Sequence, residues 1–461
     1  MDTKTITPSI DLGKDNIFKI FMHYAIPSVV TMVIIACYSL VDGIFIGRYV
    51  GPDGLAAITI AEPVYFFALA LSTVISVGGN TLVGIELGKK NNQAASSRFS
   101  LAFVIIVLIG ITLTLCAILF GDNIAYLLGS RGDLINSVSA YIKILGFFNI
   151  FFLASDFLED ALSNLGITYI PMFCNIFAAI SNIFLDYIFI VKLNMGIEGA
   201  AIASGIAFSC SFVLILITFL IKGNDKLKFI KFKFEPKIIK KIIFNGSSEA
   251  ITTASSAFTA FLLNIVLLKI AGDLGVASFS ILLFLDEILM AVNIGIAEAI
   301  SPIISYNYGA NNKDRILKTL QFAIITVISI GFITTIGLFL FGENLVSLFT
   351  NNDASLIDFT VNAMSIYAVC FLVCGVNVIG SAYFTSVAHP KESALIGILG
   401  EFAFILLGMA ILPALFGVNG VWLTFVIADF STLAVTLFLI SKTKKDILGS
   451  RNISLRKLSF N

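Results

Sequence analysis

The chain has 461 residues, 58% of them hydrophobic and only 13% charged, with a mean hydropathy of +0.99. Soluble domains carry about 25% charged residues, so this chain cannot cover a water-facing surface, and a soluble enzyme, a disordered chain and a secreted disulfide scaffold are excluded. Its 29 basic and 29 acidic residues cancel, which leaves no electrostatic footprint for nucleic acid.

What remains is a polytopic all-α integral membrane protein. A crossing helix needs roughly 20 mostly apolar residues, and the chain offers twelve such stretches. In order they are 22–47, 56–86, 99–121, 138–160, 169–191, 197–221, 242–270, 275–305, 319–342, 359–386, 393–416 and 419–441. The residues ahead of the first are polar and include Lys4, Lys14 and Lys19, so the first stretch is expected to stay in the mature chain rather than act as a cleaved signal. With the N-terminus inside, 24 of the 29 Lys and Arg fall on the inner side. Only Arg48, Arg131, Lys143, Lys192 and Lys269 fall outside. That bias predicts an even span count, a cell-membrane location and two cytoplasmic termini.

The sequence repeats at an offset of 221 residues. Gly51 and Gly54 fall on Gly272 and Gly275, Gly88 on Gly309, and Asn91 on Asn312. Leu119-Phe120-Gly121-Asp122-Asn123 falls on Leu340-Phe341-Gly342-Glu343-Asn344, and Gly196 and Gly199 fall on Gly417 and Gly420. Six spans separate equivalent positions, so both halves insert in the same direction. The expected organisation is an N-lobe over 1–221, a basic linker over 222–241, a C-lobe over 242–441 and a tail over 442–461. Two six-helix lobes about an axis along the membrane normal suit alternating access of a small-molecule substrate, in a monomer bathed in membrane lipid. The basic linker is explained as a topology determinant.

Acids at lipid depth are expensive, so each is a functional candidate. Asp42 of span 1 lies roughly 9 Å below the outer end, at 1.5 Å per residue. In span 5, Asp186 lies roughly 8 Å down and Asn182 roughly 14 Å down on the same face. Ser204 of span 6 lies roughly 10 Å down. Two carboxylates, an amide oxygen and a hydroxyl at matched depth suit Na⁺, with Asp42, Asn182 and Asp186 as ligands, or a shared proton. Glu62 in outer span 2, Glu249 in span 7 and Asp286 in span 8 are candidates for the substrate cleft or for secondary proton transfer. Glu62 precedes Pro63, which is expected to bend its helix. Glu287 falls near Asp286 at mid-membrane, and Glu401 lies about as deep as Glu249. Asp156, Glu159 and Asp160 crowd the inner end of span 4, and Glu159, Asp160 and Glu298 read as a solvated mouth. The six Cys, at 37, 116, 174, 210, 370 and 374, lie in apolar stretches without a CxxC pair and read as reduced packing residues. His23 and His389 read as interfacial. With no HExxH and no GxSxG, no enzyme activity and no cofactor beyond the coupling ion are expected.

Several motifs resemble the multidrug and toxic compound extrusion (MATE) family of efflux transporters. They are Ser181-Asn182-Ile183-Phe184-Leu185-Asp186-Tyr187-Ile188-Phe189, then Met195-Gly196-Ile197-Glu198-Gly199-Ala200-Ala201-Ile202-Ala203-Ser204, and Pro302-Ile303-Ile304-Ser305-Tyr306-Asn307-Tyr308-Gly309-Ala310. Asn245-Gly246-Ser247-Ser248-Glu249 resembles the start of span 7 in the MepA and DinF branches. The resemblance covers essentially the whole chain. It implies efflux of amphiphilic, often cationic compounds by Na⁺ or H⁺ antiport. The family's N-lobe site, an Asp, an Asn and Asp four apart, and a Thr, falls on Asp42, Asn182, Asp186 and Ser204, with Ser in place of Thr. Glu249 matches an acid that some members use in the C-lobe. Ser163-Asn164-Leu165-Gly166 stands where members often carry an Arg and an Asp-Gly. A lipid-linked oligosaccharide flippase of the same superfamily is the nearest alternative, and scarce intramembrane Lys and Arg disfavour it. A membrane enzyme or a non-transporting receptor is more remote.

Overall fold

The computed structural model describes residues 10–132, 134–223, 226–347, 349–350 and 353–449. Lys4 and the tail from 450 onward, both counted in the charge asymmetry, lie outside the described residues. Among the described residues twelve membrane-length helices follow one another, two of them joined in one helical stretch that breaks at Gly272. The N-lobe holds α1 (Ile17–Tyr49), α2 (Pro52–Gly88), α3 (Asn92–Leu127), α4 (Leu134–Asn164), α5 (Tyr169–Lys192) and α6 (Gly196–Lys222). A continuous helical stretch, Pro236–Gly309, breaks at Gly272 into α7 (236–271) and α8 (273–309). The remaining helices are α9 (Lys313–Ser347), α10 (Ala354–Ser386), α11 (Pro390–Phe416) and α12 (Val418–Gly449). α7 starts six residues before the expected span because Pro236, with φ preset and no N–H to satisfy, suits a first helical turn. The same applies to Pro52 and Pro390, while Asn16, Asn91 and Asp353 cap α1, α3 and α10 through their side chains. α2 continues as helix through Pro63.

The repeat is visible in the backbone itself. Left-handed φ values occur at Gly51 and Gly272 (94° and 62°) and at Gly196 and Gly417 (59° each), all in turns at the end opposite the linker. Lys90 and Asn311 (60° and 55°) match at the linker end. These pairs keep the offset of 221. A Cβ strains this region, so glycine is the favoured occupant of such tight turns between spans. Between α4 and α5, Gly166 corresponds to Ala388 between α10 and α11, an offset of 222. One extra residue there explains why the middle of the repeat aligns less well.

The lobes meet at the linker end. Ile20, Phe21 and Tyr24 of α1 share one buried cluster with Ile300 and Ile303 of α8, Leu320 of α9 and Phe384 of α10. Glycines allow the backbones to cross closely. A Cβ on Gly88 would overlap the Tyr306 carbonyl oxygen, and one on Gly309 would overlap that of Ile85. Ile85 and Tyr306 are themselves 221 apart, so this crossing is symmetric about the lobe axis. Gly78 against Ile242 and Gly246 against Val74 form a second crossing, between α2 and α7. Along α2, nearly every residue from Ile75 to Gly88 is buried, whereas Glu62, Pro63, Phe66 and Phe67 in the other half are exposed.

A short N-terminal strap fastens this closure. The Leu12 carbonyl accepts from Asn307 Nδ2 (3.2 Å) and Arg315 Nε (3.1 Å), and the Asp15 carbonyl accepts from Arg315 Nη2 (2.7 Å). The base of α1 is tied to the α4–α5 turn of its own lobe. Tyr24 OH donates to the Ser163 carbonyl (2.7 Å), Thr168 Oγ1 donates to that of His23 (2.9 Å), and His23 Nε2 lies 3.1 Å from the Gly166 carbonyl. Asn164 Nδ2 donates to the Asn80 carbonyl at 3.0 Å. The turn that departs from the resemblance thus uses backbone carbonyls and an Asn to hold α1 and α2.

Gly309→Ala is expected to wedge α2 from α8 at a cost of about 1–3 kcal/mol, typical of overpacking against a rigid neighbour. Spin labels placed at Lys90 and Lys318 should report a longer separation in the variant. An unchanged distance distribution would show that the crossing does not hold the lobes together.

Candidate functional site

Three helices bring the four N-lobe residues together. Asn182 and Asp186 lie one turn apart on α5 and are 1% and 0% exposed, and Ser204 of α6 is buried beside them. Asn182 Nδ2 donates to Ser204 Oγ at 3.1 Å. That bond aims the Asn182 amide oxygen away from Ser204. Asp42 of α1 lies within electrostatic reach of Asp186. Asp42 Oδ1, Asp186 Oδ1 and Oδ2, and Asn182 Oδ1 are buried without a donor among the described residues. Just past Asp186, the helical ladder widens to a π-turn over Tyr187–Lys192, a distortion that recurs at functional sites.

Buried carboxylates without donors or cations are too costly to persist charged. The oxygens are hard donors from two acids, an amide and a hydroxyl, which fits a monovalent cation such as Na⁺ or a shared proton. Among the described residues no three His, Cys, Asp or Glu converge, so the donor set is not that of a polycarboxylate metal centre. The phenols of Tyr38 and Tyr141 lie within electrostatic reach of both acids. Neither tyrosine was singled out from sequence, because a Tyr in an apolar run reads as packing.

The secondary candidates do not join this group. Glu62 is exposed on α2, within electrostatic reach of Glu287 on α8 of the other lobe. Glu249 accepts from Thr385 Oγ1 (2.9 Å), whose hydroxyl continues to Ser393 (2.8 Å) and on to Ser381 (2.8 Å). Asp286 accepts from Tyr367 OH at 3.0 Å. Near it stand Glu401, which accepts from Ser256 Oγ (2.8 Å), and Asp429, beside Asn377 Nδ2 (3.4 Å to Oδ1). Asp429 escaped sequence reasoning, although a lone acid in the middle of span 12 was the available signal.

Glu159 and Asp160, read as a solvated mouth, are half-buried together with Asp156 and hydrogen-bonded within the lobe. Ser72 Oγ donates to Asp156 Oδ2 and Ser76 Oγ to Asp160 Oδ2, both at 2.9 Å, and Asn175 Nδ2 donates to Glu159 Oε2 at 3.0 Å. These half-buried acids reach α2 and α5 of their own lobe. Glu298 is exposed on α8 yet lies within electrostatic reach of all three, across the seam between lobes.

Two six-helix lobes closed at one end, with donor-poor acids buried in one of them, define a two-lobed membrane transporter. The MatE family model matches residues 27–188 and again residues 250–411, once in each lobe, and the chain belongs to that family. The curated relatives include the Multidrug export protein MepA of Staphylococcus aureus (strain bovine RF122 / ET3-1), 26% identical over 439 residues, spanning 94% of this chain and 96% of the relative. MepA of Staphylococcus saprophyticus is 24% identical over 412 residues, 89% of each chain. Among solved structures, an outward-facing multidrug resistance MATE transporter of the MOP superfamily superimposes with a TM-score of 0.91 at 21% identity, covering 97% of this chain and all of that one. A MOP superfamily transporter from Pyrococcus furiosus gives 0.90 at 21% identity.

Ser204→Ala removes the acceptor of the Asn182 amide and leaves a buried N–H unpaired, a loss of about 1–3 kcal/mol. Thermal unfolding in detergent should register that loss, whereas Ser204→Thr should melt as the parent does.

Proposed function

We propose that this chain exports amphiphilic, often cationic compounds from the cell by antiport against Na⁺ or H⁺. The observation that carries the proposal is the set of buried oxygens on Asp42, Asn182 and Asp186 that have no donor. A cation entering among them relieves the electrostatic cost of the pair, and either a proton or Na⁺ is able to do so. The names of the MepA relatives support the substrate class, and family membership supports transport. The excess of Lys and Arg at the linker end supports a cell-membrane orientation with that end and both termini in the cytoplasm. On that orientation, the closed linker end corresponds to a cleft turned outward.

The cycle follows from these elements. The lobes part at the linker end, and the substrate enters from the cytoplasm or inner leaflet. They then close on the Gly88–Tyr306 and Gly309–Ile85 crossings and present the substrate outward. An external cation binds at Asp42 and Asp186 and favours substrate release. It drives the cycle only by binding the two states with different affinity. Among the acids outside the quartet, exposed Glu62 and Glu287, one on each lobe, would attract a cationic substrate into the cleft. Glu249 and Asp286 already accept hydrogen bonds and have less need of a coupling cation.

Asp42→Asn and Asp186→Asn should each abolish drug resistance in cells while leaving expression intact. Wild-type resistance in either variant removes the assignment. Drug uptake into inverted vesicles under an imposed Na⁺ or pH gradient identifies the coupling ion, and uptake that ignores both gradients contradicts antiport.

A further inference from the structure

The segment joining the lobes is a built surface rather than a slack tether. Residues 222–241 contain eight Lys, at 222, 226, 228, 231, 233, 237, 240 and 241, all exposed. None of them makes an ion pair among the described residues. Positive-inside topology accounts for their number but not for their arrangement. From 226 to 235 the segment carries no helix, with Leu227 turned inward between exposed Lys226 and Lys228 and with Phe229 partly covered by the lobe. Leu227 is 0% exposed. Phe229 packs on Phe99, Phe103 and Phe219, with ring centroids 5.0, 5.0 and 5.4 Å away. The backbone is pinned as well: Lys228 N donates to Ser96 Oγ (3.2 Å) and Ile230 N donates to Ser100 Oγ (3.0 Å).

These contacts hold the strip against the ends of α3 and α6, where the chain enters the membrane. Past the pins, Lys231 and Lys233 are exposed, and so is Phe234, 72% exposed, an apolar ring beside ammonium groups. Cationic heads at fixed spacing with an aromatic ring exposed between them match an interface of phosphate above acyl chain.

We propose that residues 226–234 form a docking strip for anionic phospholipid headgroups, with Lys228, Lys231 and Lys233 taking the phosphates and Phe234 entering the acyl boundary. Charge complementarity selects the occupant, since the unpaired cations lie where lipid headgroups are the anions at hand. The strip is pinned to the N-lobe up to residue 230 and leads directly into α7 of the C-lobe. A lipid held there fixes the linker in the plane of the membrane on which the lobes move.

Native mass spectrometry of the full-length chain, extracted from nanodiscs of phosphatidylcholine and phosphatidylglycerol, tests the proposal without relying on transport. The parent should retain phosphatidylglycerol preferentially. K228Q/K231Q/K233Q should lower that preference by at least about tenfold, because basic residues near the headgroups draw anionic lipid. K90Q/K391Q/K442Q, which removes equal charge elsewhere at the same end, should not. F229A, which unpins the strip but keeps every Lys, should lose the preference too. Equal retention in the parent and the linker variant overturns the proposal, as does equal loss in both triple variants or displacement of the lipid by excess inorganic phosphate.

Discussion

Two neighbouring carboxyls inside a membrane protein, three of whose oxygens are buried without a donor among the described residues, set the terms for everything around them. An isolated charge at that depth costs several kcal/mol, and two like charges in contact cost more. Asp42 and Asp186 are therefore stable only when a cation or proton accompanies them. Asn182, braced by Ser204, turns a further oxygen into the same space, which deepens the need for positive charge. A site whose energy depends so strongly on a small cation is one through which that cation can bias a conformational equilibrium.

The scaffold is close to symmetric and the chemistry is not. Left-handed turns recur at 51 and 272, 90 and 311, 196 and 417, and the α2–α8 crossing maps onto itself. Yet in the C-lobe Glu249, Asp286, Glu401 and Asp429 each stand beside a donor, from Thr385, Tyr367, Ser256 and Asn377. Donors stabilise the charged carboxylate by themselves and weaken the demand for a cation. Of these acids and the N-lobe pair, Asp186 alone is fully buried, and neither of its carboxyl oxygens has a donor among the described residues. Duplication thus supplies two similar frames, and divergence of a few polar residues leaves acids without donors in one of them.

Much of this was legible in the amino-acid sequence because hydropathy and depth are one-dimensional quantities. Apolar runs marked the helices, and Asp42, Asn182, Asp186 and Ser204 were brought together by counting residues from the membrane edge. What counting cannot supply is the direction of a side chain around its helix. Asp160 and Glu159 lie near a helix end and read as solvated, but their faces turn toward Ser76 and Asn175. Asp429 was hidden by the apolar residues on either side of it. The linker, read as a count of charges, proved to be an ordered strip because Phe229 and two serines on α3 hold it. The strap of residues 10–16 had no signature at all, since its cross-lobe bonds run through backbone carbonyls that every residue possesses.

The central claim, that the donor-less oxygens of the N-lobe hold the coupling cation, is tested most directly by measuring cation uptake on the purified protein. Binding of radiolabelled Na⁺ and proton uptake in unbuffered detergent solution should reveal one saturable cation on the parent. The account predicts that Asp42→Asn/Asp186→Asn abolishes it while Glu249→Gln leaves it intact. Retention of the cation in the double variant, or its loss on changing Glu249 alone, would contradict the account.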